Sequence, residues 1–383
     1  MNFLSDNTPQ ERFNLINTLS KKFKERASLT DESGSFPFEN IQDLKESGYT
    51  ALTVPKEYGG EGISLYEMLK LQERIAEGDG STALAIGWHM GIIKNLGEKR
   101  SWNNEKFTWL CEEVKKGALI NSAASEPQTG SPTRGGKPQT TAQKENDHWI
   151  INGRKIFTTM SPVLDYFIVS ASVVETGETG NFLIPRSAQG LEIKETWDSI
   201  AMRGTGSHDL ILNNVTVPSD YFVEILTPGK KGANGWLLHI PACYLGIAEA
   251  AKKYAIEFAK EYSPNSIKGS IIDIPAVKQK TGEMELLSVQ SSHFLYSAAR
   301  QWDEATEVEK QTMGPLLGAV KLSVTNSAIE IVDIAMRIVG AKSLSIKNPL
   351  QRYYRDVRAG LHNPPMDDMT ILSLAESAIS SID

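Results

Sequence analysis

Cysteine is scarce in this chain, since 383 residues contain only Cys111 and Cys243. The two lie far apart without the spacing of metal ligands, so we expect neither a disulfide framework nor a cysteine-based metal site. No apolar run reaches about 18 residues, so we expect no membrane-spanning helix. The N-terminus, MNFLSDNTPQER, also lacks the basic and apolar regions of a signal peptide.

Positive charge is in deficit as well. Lysine and arginine number 40 against 47 acidic residues, which gives a formal net charge of −7. This balance provides no general attraction to nucleic acid or to an anionic membrane surface. Hydrophobic residues make up 40% and charged residues 23%, which is ordinary for a globular protein. We therefore expect a reduced, cytoplasmic, water-soluble protein with two or three packed units.

The apolar pattern changes twice along the chain. Its period is that of helices to about residue 116, that of short strands to about 226, and helical again beyond about 230. These changes predict an α+β protein with domains at residues 1–116, 117–226 and 227–383. Apolar stripes over 247–262 and 317–338 predict bundle helices whose stripes pack in the core, and the unpatterned stretch 260–273 predicts a loop.

In the central region, Asn152-Gly153 lies between two β-prone runs. Residues 148–151 and 154–159 therefore predict a hairpin closed by a type I′ turn. Further strands are predicted at 166–169, 182–184, 209–212 and 215–217, where Pro218 ends the last one.

The segment NSAASEPQTGSP, residues 121–132, is rich in small residues and hydroxyls. This composition lets backbone N–H groups approach a ligand closely. It is also typical of a surface turn. The loop alone leaves both interpretations open.

Several segments together resemble one known family. They are VPKEYGGEG at 54–62, SEPQTGS at 125–131, NGRKIFTT at 152–159, MRGTGS at 202–207 with VTVP at 215–218, and YRDVR at 354–358. Their order and spacing on this α–β–α layout resemble the acyl-CoA dehydrogenase superfamily over nearly the whole chain. The resemblance implies a β-barrel-like central domain, a C-terminal four-helix bundle and a homotetramer or homodimer.

The resemblance also implies a cofactor and its contacts. FAD would lie between the β domain and the bundle, and an electron-transfer flavoprotein would be the electron acceptor. Phe157 would pack on the isoalloxazine ring, and the Thr159 hydroxyl would reach toward N5. The resemblance further implies that the flavin and its phosphate side are lined by Ala124, Ser125, Gly130 and Ser131. It also implies that Ala341, at the end of the partly kept glycine-rich segment RIVGA, contacts FAD.

The sequence departs from the family at the catalytic base. Dehydrogenation of an acyl-CoA thioester needs a carboxylate that takes the α-proton while hydride leaves the β-carbon. Most members place this glutamate shortly after the Arg-Asp motif, where this chain has Pro364. Isovaleryl-CoA dehydrogenase and its group place it on the first long helix of the C-terminal domain, where this chain has Trp236. The arginines that usually contact the FAD diphosphate and the thioester align with Phe258 and Leu237.

Other side chains are candidates to replace that base. His362 lies within the turn itself, and His89 lies on an N-terminal helix expected near the substrate. Asp367 and Asp368 follow the prolines and are candidates as well, although helix N-capping after Pro-Pro is an alternative role for both. Either histidine is equally explained as a packed or surface residue.

Three functions remain open from the sequence. The first is a dehydrogenase of an acyl-CoA thioester with hydride transfer to FAD, acting in fatty acid metabolism. The second is a monooxygenase on the same fold, similar to dibenzothiophene monooxygenase, which uses reduced FMN and oxygen and can employ histidines. The third is a flavin- or acyl-binding protein without catalysis.

Overall fold

The computed structural model describes residues 2–5, 7–129, 136–226 and 232–382. Its N-terminal region is helical. Helix α1 begins after Thr8, whose side chain accepts from the Glu11 N–H while the Glu11 carboxylate accepts from the Thr8 N–H. The helices of this region are α1 Pro9–Ser33, α2 Phe38–Glu46, α3 Leu65–Gly78, α4 Gly80–Lys99 and α5 Asn104–Lys115.

The central region forms one mixed sheet. Its order is β6-β7-β3-β2-β4-β5-β8, and β1 pairs in parallel with β4. The strands are β1 Ile120–Ala123, β2 Thr141–Glu145, β3 His148–Thr158, β4 Tyr166–Val173, β5 Thr179–Pro185, β6 Leu191–Lys194, β7 His208–Pro218 and β8 Phe222–Leu226.

The predicted hairpin at Asn152-Gly153 was wrong. These residues lie inside β3, which runs unbroken and pairs with β7 through a register shift between Ile151 and Gly153. A Cβ at Gly153 would come within 2.4 Å of the Thr140 Oγ1, so glycine here allows a bulge and a close approach, not a turn. The hairpin instead forms earlier in the chain, where Asn146-Asp147 joins β2 to β3 and Asn146 has a φ of 56°.

The C-terminal region returns to helices, and α6, α7, α9 and α11 form the bundle. The two predicted apolar stripes lie on α6 and α9, and the predicted loop at 260–273 lies mostly between α6 and α7. The α+β class, with helical, β and helical regions in sequence, is therefore confirmed. The helices are α6 His239–Glu261, α7 Pro275–Glu304, α8 Glu307–Thr312, α9 Gly314–Val339, α10 Pro349–Asp356 and α11 Asp367–Ser380.

One hydrophobic core joins the three regions, since buried residues such as Met68, Met160 and Leu245 belong to one contiguous cluster. Cys111 and Cys243 are both buried free thiols. Over the described ranges, no helix is long and apolar enough to cross a bilayer.

The segment Arg355-Asp356 ties the regions together by polar contacts. The Arg355 guanidinium donates to both carboxylate oxygens of Asp31 on α1, at 3.0 and 2.5 Å, and to the Ile200 carbonyl at 2.6 Å. The Asp356 carboxylate accepts from the Met202 N–H at 2.6 Å. Burial raises the pKa of Asp356 to about 7, although the Met202 N–H and the Arg352 guanidinium oppose that shift.

Asp356 variants test this junction. Because Asp356→Ala leaves the buried Met202 N–H without its acceptor, we expect a loss of roughly 1–3 kcal/mol of unfolding free energy. Asp356→Asn keeps an acceptor and should lose much less. A raised carboxyl pKa contributes stability that is present at low pH and lost as pH rises through about 7. The wild type should therefore lose stability relative to Asp356→Asn as the pH rises from about 4 to about 7 in urea titrations, with little further change above pH 7. Parallel pH curves would contradict the assignment.

Candidate functional site

The predicted binding loop begins at the end of β1. Ala124 and Ser125 are half-buried there, and the Ser125 carbonyl accepts from the Ile156 N–H on β3 at 2.9 Å. Gly130 and Ser131, also predicted to contact a cofactor, lie outside the described residues. The loop is therefore fixed to the same strand that carries Phe157.

A buried ion pair holds this loop in place. Glu126 is 2% exposed and Lys155 is 0% exposed, and the Lys155 Nζ lies 2.6 Å from the Glu126 Oε1. The same carboxylate accepts from the Thr140 hydroxyl at 2.7 Å and from the Thr140 and Gln139 N–H groups at 3.0 and 2.7 Å. Glu126 thus joins β3 to the segment that leads into β2.

The electrostatics agree with a charged pair. Burial by itself would raise the pKa of Glu126, but the Lys155 ammonium and the Thr140 and Gln139 donors outweigh it and lower the pKa to about 2. Burial lowers the pKa of Lys155, so the Glu126 carboxylate is what keeps a positive charge favourable at this depth.

Beyond the pair, the chain leaves β3 in an unusual backbone conformation. Phe157 has a φ of 57° and Met160 a φ of 67°, in the left-handed region that bulky side chains rarely occupy. The Phe157 ring is 62% exposed, which is uncommon for a large aromatic side chain beside a packed sheet. The Trp197 ring stands perpendicular to it, with centroids 6.2 Å apart. Strain and an exposed ring together mark a site where a flat ligand can stack.

Three hydroxyls form a chain behind Phe157. Thr159 Oγ1 lies 2.9 Å from Ser207 Oγ, which lies 2.9 Å from Thr205 Oγ1. The Thr205 hydroxyl donates to the Met202 carbonyl at 3.0 Å. In the arrangement in which Thr205 donates to Met202, each hydroxyl has one proton to give, so Ser207 donates to Thr205 and Thr159 donates to Ser207. The chain therefore leaves the Thr159 oxygen as an acceptor for a further donor.

His89 lies at a junction in the core. It is fully buried, its Nε2 is 3.0 Å from the Thr50 carbonyl, and its Nδ1 accepts from the Ile120 N–H at 3.1 Å. Burial lowers its pKa to about 4, more than these two hydrogen bonds oppose. Backbone groups thus occupy both ring nitrogens, and His89 positions β1 against α4 in this arrangement.

The other predicted base candidates, His362 and Asp367, lie in different surroundings around the C-terminal turn. His362 is exposed at the end of the short helix Val357–His362. The Tyr244 hydroxyl donates to the Asn363 amide oxygen, which fixes the residue before Pro364. Lys321, 1% exposed, lies 3.2 Å from the Asp367 carboxylate.

The proposed N-capping role of Asp367 and Asp368 needs a correction. The N-cap of α11 is Met366, which makes no side-chain cap bond, and the two aspartates occupy the first turn. In the first turn, their negative charges interact favourably with the positive end of the helix dipole. The sequence placed the cap one residue too late because the turn after Pro365 includes Met366.

Trp236 occupies a short helix, Gly235–Leu238, directly before α6. Its indole stacks on the His239 imidazole, with centroids 5.9 Å apart and an interplanar angle of 7°. His239 is fully buried, and sequence reasoning missed it. Its only signal was a single histidine three residues after Trp236, where a helix begins.

Ala341 is exposed in the short helix Gly340–Leu344. Nearby, Phe258 stacks on Tyr262 with centroids 5.1 Å apart, and the Lys342 ammonium lies 4.0 Å from the centre of the Tyr262 ring. At Phe258, where the acyl-CoA dehydrogenase superfamily usually has an arginine, this chain therefore has aromatic rings beside a lysine.

Comparison with family models covers most of the chain. The model described as acyl-CoA dehydrogenase, N-terminal domain, matches residues 14–100, the middle domain matches 121–215, and the C-terminal domain matches 238–361. YdbM of Bacillus subtilis strain 168, provisionally named an acyl-CoA dehydrogenase, is 54% identical over 381 residues, covering 99% of each chain.

Solved structures share the fold. FMN-bound TdsC from Paenibacillus sp. A11-2 aligns with a TM-score of 0.86 at 23% identity, covering 96% of this chain and 97% of that chain. Butyryl-CoA dehydrogenase from Megasphaera elsdenii aligns with a TM-score of 0.84 at 21% identity, covering 99% and 100%.

The buried pair can be tested by double substitution. Lys155→Met removes one partner and leaves the Glu126 carboxylate buried without its counter-charge. We expect a loss of roughly 3–5 kcal/mol of unfolding free energy. Glu126→Gln in the same chain keeps the acceptor for the Thr140 donors without the charge, so the double variant should recover a large part of that loss. Urea denaturation of both variants measures this. Equal losses would show that the lysine contributes by packing alone.

Proposed function

This chain belongs to the acyl-CoA dehydrogenase family, and we propose that it is a flavin-dependent oxidoreductase. The observation that carries the proposal is the exposed Phe157 ring beside the Thr159 hydroxyl chain. In this proposal the Phe157 ring, the Thr159 hydroxyl and the loop of Ala124 and Ser125 would hold the flavin ring, with Thr159 on the side of N5.

The residues present fit the ring half of a flavin. Phe157 offers a flat apolar face with Trp197 at its edge, and the Thr159 oxygen offers a hydrogen-bond acceptor. The fit is weaker for the diphosphate half, because Phe258 stands where the family's arginine aligns, although the Lys342 ammonium lies 4.0 Å from the centre of the neighbouring Tyr262 ring. We propose FAD from family membership, with FMN as the alternative that the weaker diphosphate fit supports, and Gly130, Ser131 and Ala341 remain proposed contacts.

A bound flavin would supply an acceptor for a hydride, which carries two electrons, at N5. The chain's own contribution is the direction of its hydroxyl protons. When Thr159 donates to Ser207, the Thr159 oxygen can only accept a hydrogen bond on its other side. It would therefore stabilise a ligand nitrogen that carries a hydrogen more than one that carries none. The buried Glu126–Lys155 pair keeps the loop from shifting as charge develops near it.

We propose α,β-dehydrogenation of an acyl-CoA thioester as the reaction, as the provisional name of YdbM supports. Its catalytic base is then unusual, because Pro364 and Trp236 occupy both usual positions. His362 and Asp367 remain proposed bases near the turn, and His89 would need to release a backbone partner before it could act.

A monooxygenase that uses reduced FMN and oxygen is the second candidate. The specific observation in its favour is the same absence of a carboxylate at Trp236 and Pro364, since this chemistry needs no carboxylate to take an α-proton. FMN-bound TdsC on the same fold adds support.

We also propose that the chain assembles as a homotetramer or homodimer. Helix α11 presents Ile371, Leu372 and Ile379 to solvent at 58, 55 and 67% exposure, which is a large apolar surface for one helix. In the dehydrogenase proposal, an electron-transfer flavoprotein reoxidises the enzyme.

The reaction is tested on the purified protein with its flavin. Anaerobic addition of acyl-CoA thioesters of several chain lengths should bleach the flavin absorbance, because hydride transfer reduces it. An enzyme that stays oxidised with every thioester, but forms product from an aromatic substrate with supplied reduced FMN and oxygen, would be the monooxygenase. A colourless protein that binds neither FAD nor FMN would refute both.

Thr159 variants test the N5 assignment. We expect Thr159→Ala to slow anaerobic flavin reduction by about tenfold or more, because an acceptor at N5 is lost. Flavin affinity should fall much less, since one hydrogen bond contributes little to a large ring contact. Thr159→Ser keeps the hydroxyl and should behave like the wild type. Stopped-flow reduction and flavin titration measure the two effects. Equal losses in both would argue against the N5 role.

A further inference from the structure

A cluster of three aromatic side chains lies where α6 meets α4, defined here as the Trp88–Trp236–His239 cluster. The Trp88 ring meets the His239 ring edge-on at 4.9 Å between centroids, and Trp236 lies parallel to His239 at 5.9 Å. Trp88 and Trp236 are 5.7 Å apart at 72°. His239 is 0% exposed.

Three buried polar atoms of this cluster are unpaired. Among the described residues, neither the Nδ1 nor the Nε2 of His239 has a hydrogen-bond partner, and the buried Nε1 of Trp236 has none either. A buried polar group without a partner costs about 1–3 kcal/mol. An apolar side chain of similar size would avoid this cost, and a ligand or an ordered water that bonds the imidazole would offset it.

Helix α4 makes room for both rings by using glycine. A Cβ at Gly87 would lie 2.4 Å from the His239 Nδ1, and a Cβ at Gly91 would lie 2.4 Å from the Trp236 Cε3. Residues 87 and 91 are one turn apart on the same face of the helix. Any larger residue at either position would displace a ring, so α4 is shaped around this cluster.

The cluster also has a defined place in the proposed enzyme. Trp236 stands at the position where one group of family members carries its catalytic glutamate, and His239 lies one helical turn further along α6. We propose that His239 determines substrate specificity by hydrogen-bonding an uncharged polar group of the substrate while Trp88 and Trp236 contact its flat or apolar part. This inference rests on the proposed function for the identity of the ligand as substrate.

The chemistry of the site limits the ligand class. Burial lowers the pKa of His239 to about 3, so the imidazole is neutral and offers one donor and one acceptor. The Trp236 indole adds a donor only. A hydroxyl, a carbonyl or an amide satisfies these groups, whereas a charged group would be desolvated without a counter-charge among the three rings.

Phenol and toluene are suitable probes because they have similar size and differ in a hydroxyl. The protein is used with its flavin, and each probe's effect on thermal stability and on tryptophan fluorescence is measured. We expect the ratio of phenol to toluene affinity to fall about tenfold in His239→Leu relative to the wild type. Without a probe, His239→Leu should melt about 2 °C or more higher, because an unpaired polar group is removed.

His239→Asn serves as the matched variant, since its amide keeps a donor and an acceptor, and it should retain part of the phenol preference. It also keeps the test open if the leucine variant does not fold. An unchanged phenol-to-toluene ratio in the variants, or no difference between the probes in the wild type, would overturn the proposal and leave His239 with an ordered water only. Flavin content of the same preparations reports separately on the proposed function.

Discussion

The buried Glu126–Lys155 ion pair is the contact on which the geometry of the candidate site depends. It joins the loop after β1, through Glu126, to the middle of β3, through Lys155, and both charges lie below the surface. In such a position each charge is acceptable only while the other remains, so the two segments cannot separate without a large loss of free energy. Two residues after Lys155 the chain reaches the strained Phe157 backbone. The pair thus supplies the rigidity that a left-handed phenylalanine needs, since strain persists only where surrounding contacts fix it.

A second set of contacts places that frame relative to the helical regions. Arg355 reaches Asp31 on α1 and the Ile200 carbonyl, and Asp356 receives the Met202 N–H. Met202 is also the acceptor that sets the direction of the hydroxyl chain, through its carbonyl. The orientation of the Thr159 hydroxyl therefore depends on a residue held by the C-terminal region. Because the site draws on the β domain for its hydroxyls and on the C-terminal region for their anchor, domain packing and site chemistry are coupled.

The sequence predicted the fold class and the long helices well, because apolar periodicity over α6 and α9 reflects which face is buried. It failed at Asn152-Gly153, whose turn preference was overridden by pairing with β7 across about 60 residues. Contacts of this kind have no local signature. The role of His89 is similar, since its partners Thr50 and Ile120 lie 39 and 31 residues away. The same applies to the site: single residues such as Phe157 and Thr159 are proposed from a motif, but the hydroxyl chain from Thr159 to Thr205 depends on contacts between distant segments.

In the turn after the Arg-Asp motif, structural contacts are found where other family members carry the catalytic glutamate. Asn363 is held by Tyr244, and Asp367 faces the buried Lys321, so the segment that would carry a glutamate is tied down by structural bonds at both ends. Unpaired buried polar atoms are spread over several parts of the described chain, and they include the Thr370 Oγ1 just after this turn as well as atoms of His239 and Trp236. Buried groups without a protein partner are completed by a ligand, an ion or an ordered water. The proposed substrate contact at the start of α6 therefore depends on the three rings packed there and on the glycines of α4 that make room for them, and not on the C-terminal turn.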